Sequence, residues 1–242
     1  MNNKRNFFLI IILFILVISL FNILQTNNKL DKKVVVFAAS SLRPILDNLF
    51  LNQVNDLVIQ YNGSQYLKYQ LENGAQADFL FCAGADECLP DVNKESFCAN
   101  ELVLAIDSKI NLQTLTEVLN ADIKLARAAD NVPLGKMTAK FINSIPNNDS
   151  LLLNKKFVTF DLSASSVLAR LETNQVDGAF IYRSYFYNDN NLKNNFKYIN
   201  LSSNQKLVYF YQQLHIDNRN NEIIQQLQLI DDTRCEEFGY IK

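Results

Sequence analysis

Val36-Phe37-Ala38-Ala39-Ser40-Ser41-Leu42 is an apolar run that stops on two small hydroxyl residues and opens a helical pattern running from Leu42 to about Gln53. A strand that turns into a helix in this way aims the first-turn amides of the helix, which lack helical acceptors, at whatever lies beyond the strand end. They sit at the positive end of the helix dipole, and a serine there adds a hydroxyl. An anion is the natural guest of such a corner. One corner is common in α/β proteins, but this chain repeats the device.

A second corner lies at Asn62-Gly63-Ser64, where a strand from Leu57 gives way to a helix from Gln65 to Asn73, with Ser64 expected as its N-cap. A third lies at Asn131-Val132-Pro133-Leu134-Gly135, with Pro133 at the first helical position, a structural role, and Leu134 and Gly135 supplying first-turn amides. The fourth is Leu162-Ser163-Ala164-Ser165, opening a helix that ends at Glu172-Thr173-Asn174. Tyr182 closes the apolar strand Gly178-Ala179-Phe180-Ile181-Tyr182 and adds a phenol.

Between these corners strands and helices alternate. Strands are expected at 33–39, 56–60, 78–83, 101–106, 123–126, 157–160, 178–182 and 208–212. Helices are expected at 42–53, 64–73, 112–119, 133–142 and 163–173, and two more close the chain at about 220–229 and 232–238. The alternation is that of a parallel α/β architecture. Asn147 to Asp149 and the asparagine-rich stretch Asn188 to Asn195 are expected as loops.

With 242 residues, 48% of them hydrophobic, the chain can bury one large α/β core or two small ones. Phe7 to Leu24 is a nearly unbroken apolar run behind Lys4 and Arg5. It reads as an export signal or a membrane anchor, and its length and the lack of an A-x-A-like site favour the anchor. Either reading puts the rest of the chain outside the cytoplasm. Setting aside Lys4 and Arg5 leaves 21 basic and 25 acidic residues, so nucleic acid, whose affinity rests on phosphate neutralisation, is a poor partner.

In an oxidising compartment the four cysteines Cys82, Cys88, Cys98 and Cys235 should pair, and Cys88 with Cys98 is the expected pair. Their spacing is too irregular for zinc, and His215 is the only histidine. A thiol oxidoreductase on Cys82 and Cys88 lacks the C-x-x-C spacing, and a serine hydrolase on Ser41 would depend on His215 as its base, without a G-x-S-x-G elbow. Catalysis is therefore not expected. Arg43, beside the first corner, is expected on a solvated face.

The phrases V-F-A-A-S-S-L, G-S-x-x-L-x-x-Q-L-E-N-G-A-Q-A-D, N-V-P-L-G and V-D-G-A-F-I-Y, in this order from Val34 to the closing Gly239-Tyr240-Ile241, resemble the molybdate-binding subunit of bacterial molybdate ABC importers. The resemblance implies a two-lobed type II periplasmic-binding-protein fold, α/β throughout, that closes on a tetrahedral oxyanion. The expected division is 1–30 as signal or anchor, 31–106 with 204–242 as lobe I, and 107–203 as lobe II. It implies a site of neutral donors: a hydroxyl and an amide each from Ser41 and Ser64, an amide each from Leu134 and Ala164, and the hydroxyl of Tyr182. The implied ligand is molybdate or tungstate, with no other cofactor and no metal cation. The implied partner is the membrane permease of an ABC importer, served by a monomer whose N-terminal segment engages the membrane. The chain departs from the family pattern at Leu134, where a smaller residue is usual, at Ala128-Ala129-Asp130-Asn131, and at Phe81-Cys82-Ala83-Gly84-Ala85-Asp86. Two alternatives stay open: another oxyanion such as sulfate or phosphate, or a secreted protein that kept the shape and lost its anion.

Overall fold

A computed structural model describes residues 33–51, 53–201 and 206–241. The N-terminal apolar segment, and the junction expected at 203/204, lie outside the described residues. Among the described residues no helix is long and apolar enough to cross a membrane.

Strand β1 (Val34–Ala39) lies between β2 (Leu57–Asn62) and β3 (Phe79–Ala83), parallel to both. Its alternate residues enter two clusters, Val34, Val36 and Ala38 on one face and Val35 and Phe37 on the other, which explains its unbroken apolar run: a strand covered on both faces has no polar side to alternate with. The expected helix after it is two elements. A 3-10 turn, Ser40–Leu42, leads into α1 (Arg43–Phe50), which buries Ile45, Leu46, Leu49 and Phe50. Helix α2 (Ser64–Glu72) joins β2 to β3 and packs Leu67 into a small cluster with Phe37 and Leu80.

β4 (Glu95–Asp107) is twice the length expected and changes partners along its course. Its first half, Glu95 to Glu101, pairs antiparallel with β9 (Lys206–Gln213), which itself pairs antiparallel with β3. Its second half, Leu102 to Asp107, pairs antiparallel with β7 (Gly178–Tyr182) and β8 (Phe196–Asn200). β7 continues parallel to β5 (Leu125–Ala128), and β5 to β6 (Phe157–Asp161). Pairing is thus parallel among β1, β2 and β3 and among β5, β6 and β7, and antiparallel wherever β4, β8 or β9 takes part. One hydrophobic core runs from Leu102 to Leu201, and another gathers β1, α1, β3, Tyr209 and Tyr240.

The remaining helices of the second half are α3 (Leu115–Asn120), α4 (Pro133–Ser144), α5 (Asn147–Asn154), α6 (Ala164–Glu172), α7 (Ser184–Asn188) and α8 (Asn190–Asn195). Three differences from the sequence expectation stand out. Asn147 to Asp149 opens α5 and does not form a loop, with Pro146 in extended backbone just before it. The stretch Asn188 to Asn195 holds α8, capped by the Asp189 carboxylate on the amides of Asn191 and Leu192. β8 follows directly and was not expected as a strand. Helices α9 (Asn221–Gln228) and α10 (Asp232–Glu237) close the chain.

The cysteines pair as Cys82–Cys88 and Cys98–Cys235, with Cα atoms 5.5 and 5.9 Å apart, which overturns the expected Cys88–Cys98 pair. Four cysteines allow three pairings, and local spacing cannot see that α10 folds back against β4. The second bridge spans 137 residues and the first six. Loop-closure entropy then predicts that replacing Cys98 and Cys235 together by alanine costs about 5 kcal/mol, against roughly 2.4 kcal/mol for the short bridge. Thermal unfolding of the two double variants should show the larger loss for Cys98→Ala/Cys235→Ala. An equal or reversed order would contradict that pairing as the fold's main covalent tie.

Candidate functional site

The four corners converge. A small cavity of about 20 Å³ is lined by Ser40 and Ser41 from the first, Gly63 and Ser64 from the second, Val132 and Pro133 from the third, and Ala164 from the fourth, with Tyr182 at its edge. No side chain lining it is charged. Of the five residues expected to bind, Ser41, Ser64, Ala164 and Tyr182 line the cavity. Leu134 does not: its side chain is fully buried in the core that runs from Leu102 to Leu201, one residue beyond the lining Pro133. Its place in the first turn of α4 leaves the amide without a helical acceptor.

The serines are held differently from the expected caps. Ser64 is the first residue of α2, behind Gly63 at the N-cap, and its Oγ accepts a 3.0 Å hydrogen bond from the Ala83 amide at the end of β3. Ser41 sits inside the 3-10 turn, caps no helix, and its Oγ accepts a 2.9 Å bond from the Tyr209 hydroxyl. An oxygen that already accepts one bond in this way turns its own proton elsewhere, which makes each hydroxyl a donor. Only the fourth corner behaves as a serine cap: Ser163 Oγ accepts from the Ser166 amide.

Behind Ser41 lies a buried relay absent from the sequence reading. Asn100, fully buried on β4, donates from Nδ2 to Ser184 Oγ at 2.7 Å and to the Tyr209 hydroxyl at 3.3 Å. Its Oδ1 accepts from the amides of Glu101 and Ser184, so the side-chain amide is fully used. Tyr240 donates to the Ser41 carbonyl at 2.6 Å. The only sequence signal for these residues was that a buried tyrosine on the alternating strand β9 must find a polar partner. Burial pushes the phenols of Tyr182, Tyr185, Tyr209 and Tyr240 up, Tyr209 to about 12 even though its bonds to Ser41 and Asn100 act against the rise. Tyr182 is further held protonated by Tyr209, Tyr185 and the Glu87 carboxylate.

The third corner requires Gly135. A Cβ there would fall 1.8 Å from the carbonyl oxygen of Ala129, so only glycine lets the first turn of α4 approach the end of β5. Arg127 secures the same turn: it is buried, bonds the Ala128 and Gly135 carbonyls, and pairs with Asp130. Arg43 is exposed, as expected, and lies over the Tyr61 ring at 4.1 Å.

Three contacts bridge the cavity. Ser165 donates to Ser40 Oγ at 2.8 Å, Gln65 Nε2 to the Leu162 carbonyl at 3.1 Å, and Lys136 on α4 pairs with Glu87, which follows β3. The hydroxyl of Ser41 bonds the phenol of Tyr209, and all four cysteines are in disulfides. Among the described residues no group of three or more His, Cys, Asp or Glu is placed to hold a metal ion.

Residues 34–228 match the sequence profile of the bacterial extracellular solute-binding proteins, and the chain belongs to that family. No curated protein matches it. Among solved structures, the periplasmic molybdate-binding protein of Azotobacter vinelandii superposes with a TM-score of 0.72 at 17% identity, covering 87% of this chain and 99% of its own. A substrate-binding domain assigned to a molybdenum ABC transporter of Clostridium difficile gives 0.63 at 21%, over 87% and 98%. The sulfate-binding protein of Mycobacterium tuberculosis gives 0.70 at 10%, over 86% of each. At these identities the likeness establishes the fold, a two-lobed periplasmic-binding-protein architecture.

The raised phenols give a pH dependence of definite sign. A group whose pKa is higher folded than unfolded contributes its full stability below the unfolded value, here pH 10, and loses it as pH rises through the folded value. Stability should therefore fall steeply between pH 10 and about 12, where Tyr209 ionises. Tyrosinate absorbance followed through the same range should lag behind that of the unfolded chain until unfolding releases it. Ionisation of every tyrosine near pH 10 in a still-folded protein would contradict the buried relay.

Proposed function

We propose that this solute-binding protein captures a tetrahedral, doubly charged oxyanion, molybdate or tungstate, in the cavity between its lobes and hands it to the permease of an ABC importer. The observation that carries this reading is the uncharged, donor-lined cavity on which all four helix starts converge. In it Ser41 and Ser64 each give a hydroxyl and an amide, Leu134 and Ala164 give amides, and Tyr182 gives its hydroxyl. The lobes are taken as 31–106 with 204–242, and 107–203, turning about the crossing strands. The protein works as a monomer outside the cytoplasm, exported or tethered by residues 7–24, without catalysis and without a metal cation.

The energetics favour such a cage. An anion stripped of water loses its hydration, and each hydrogen bond to a charged group returns about 1.5–3 kcal/mol. Helix N-termini add on the order of 0.3–1 kcal/mol each. Selectivity then rests on size and protonation: a cage of donors has nothing to accept the proton of hydrogen phosphate.

Thermal unfolding with molybdate, tungstate, sulfate and phosphate added separately tests this reading. A ligand at a thousand times its dissociation constant adds about 4 kcal/mol to the folded state, and molybdate and tungstate should do so where sulfate and phosphate do not. Ser41→Ala and Ser64→Ala should each weaken binding roughly tenfold to a hundredfold, with Tyr182→Phe milder. Stabilisation by sulfate or phosphate instead would reassign the ligand. No stabilisation by any of them would leave the shape without the anion.

A further inference from the structure

A carboxylate beside an anion site calls for a reason. Glu87 ends the 3-10 turn Ala85–Glu87 after β3, and its side chain is only 7% exposed. It contributes to the wall of a pocket that also contains Ala83 and Pro133, two residues of the small cavity, and its negative charge reaches the hydroxyl of Tyr182. A bare charge there opposes any anion bound nearby. Its partner, Lys136, belongs to α4, on the other side of the cavity and one residue beyond Gly135. The pair therefore forms only when the two sides meet.

We propose that Glu87 and Lys136 are a charge clamp that couples anion capture to closure. Lys136 cancels the Glu87 carboxylate only in the closed protein. Opening separates the two, re-exposes the negative charge next to the cavity, and drives the anion out. Both are positioning residues: the donors described above hold the ligand, and the clamp decides in which state it is held. The inference rests on the oxyanion reading of the cavity.

The clamp predicts an asymmetry that an ordinary interlobe ion pair does not. If the pair served only as an adhesive, Glu87→Gln and Lys136→Gln would weaken binding alike, and the double variant would match either. With a clamp, Lys136→Gln leaves the buried Glu87 carboxylate uncompensated beside the anion and weakens binding by roughly tenfold or more, as expected when a buried charge loses its half-exposed partner. Glu87→Gln leaves an uncovered cation there, so its affinity stays at or above wild type. The double variant binds more tightly than Lys136→Gln alone.

The experiment is a calorimetric titration of molybdate and tungstate into the four proteins, with the radius of gyration of each measured by small-angle scattering without anion. The asymmetry and the recovery in the double variant bear the clamp out, and equal losses in both single variants overturn it. If wild type binds neither anion, the oxyanion reading fails, and scattering still tests the clamp. Lys136→Gln must then be more open than both wild type and the double variant, and equal radii for the four proteins would overturn the clamp on its own.

Discussion

Strand β4 is the member on which both halves of the molecule depend. Its first seven residues pair with β9 and its last six with β7 and β8, so one continuous backbone is hydrogen-bonded into two cores. Asn100 sits where the pairing changes hands. Its side-chain amide satisfies groups from β4, α7 and β9 at once, and through Tyr209 it fixes the hydroxyl of Ser41. A fully satisfied buried amide tolerates few alternatives, because any partner withdrawn leaves a buried polar group unpaired. The crossing of the strands and the orientation of a cavity hydroxyl are thus one hydrogen-bond network.

The charge arrangement around the cavity follows from the cost of burying ions. On the proposed reading of the cavity as an oxyanion site, a permanent cation inside would hold the anion in open and closed states alike, and a carrier must also release. Neutral dipoles avoid that: amides at helix starts and oriented hydroxyls act only at close range, so they count when the two sides meet. The nearby ionic groups, Glu87 with Lys136 and Arg127 with Asp130, are paired outside the lining. The phenols behind the cavity are pushed up by burial and stay protonated, so they donate at every physiological pH.

Much of this was legible in the chain, and the failures have physical causes. The apolar runs at β1, β3 and β7 named the buried strands because each is covered on both faces. Four strand-to-helix corners and their convergence were readable, since Pro133, Gly135 and the small residues at each corner are local signals. The assignment of Ser64 as a cap failed, because its hydroxyl bonds the Ala83 amide on another strand, and the Tyr209 partner of Ser41 is likewise distant in sequence. The disulfides failed for the same reason, with Cys235 returning to β4 from 137 residues away. Asn147 and Asn190 were read as loop residues from composition, although asparagine next to a proline or an aspartate cap starts helices readily. Glu87 carried no signal at all: its meaning exists only across the cavity from Lys136.

Crystals grown with tungstate, with data collected at the tungsten absorption edge, would locate the anion, because the heavy atom marks its own position. A single anomalous peak is expected one tungsten–oxygen bond beyond hydrogen-bonding distance from Ser41 Oγ, Ser64 Oγ and the Ala164 amide, so that the oxygens of the anion meet those donors. A peak elsewhere, or none at saturating tungstate, would contradict the proposed site.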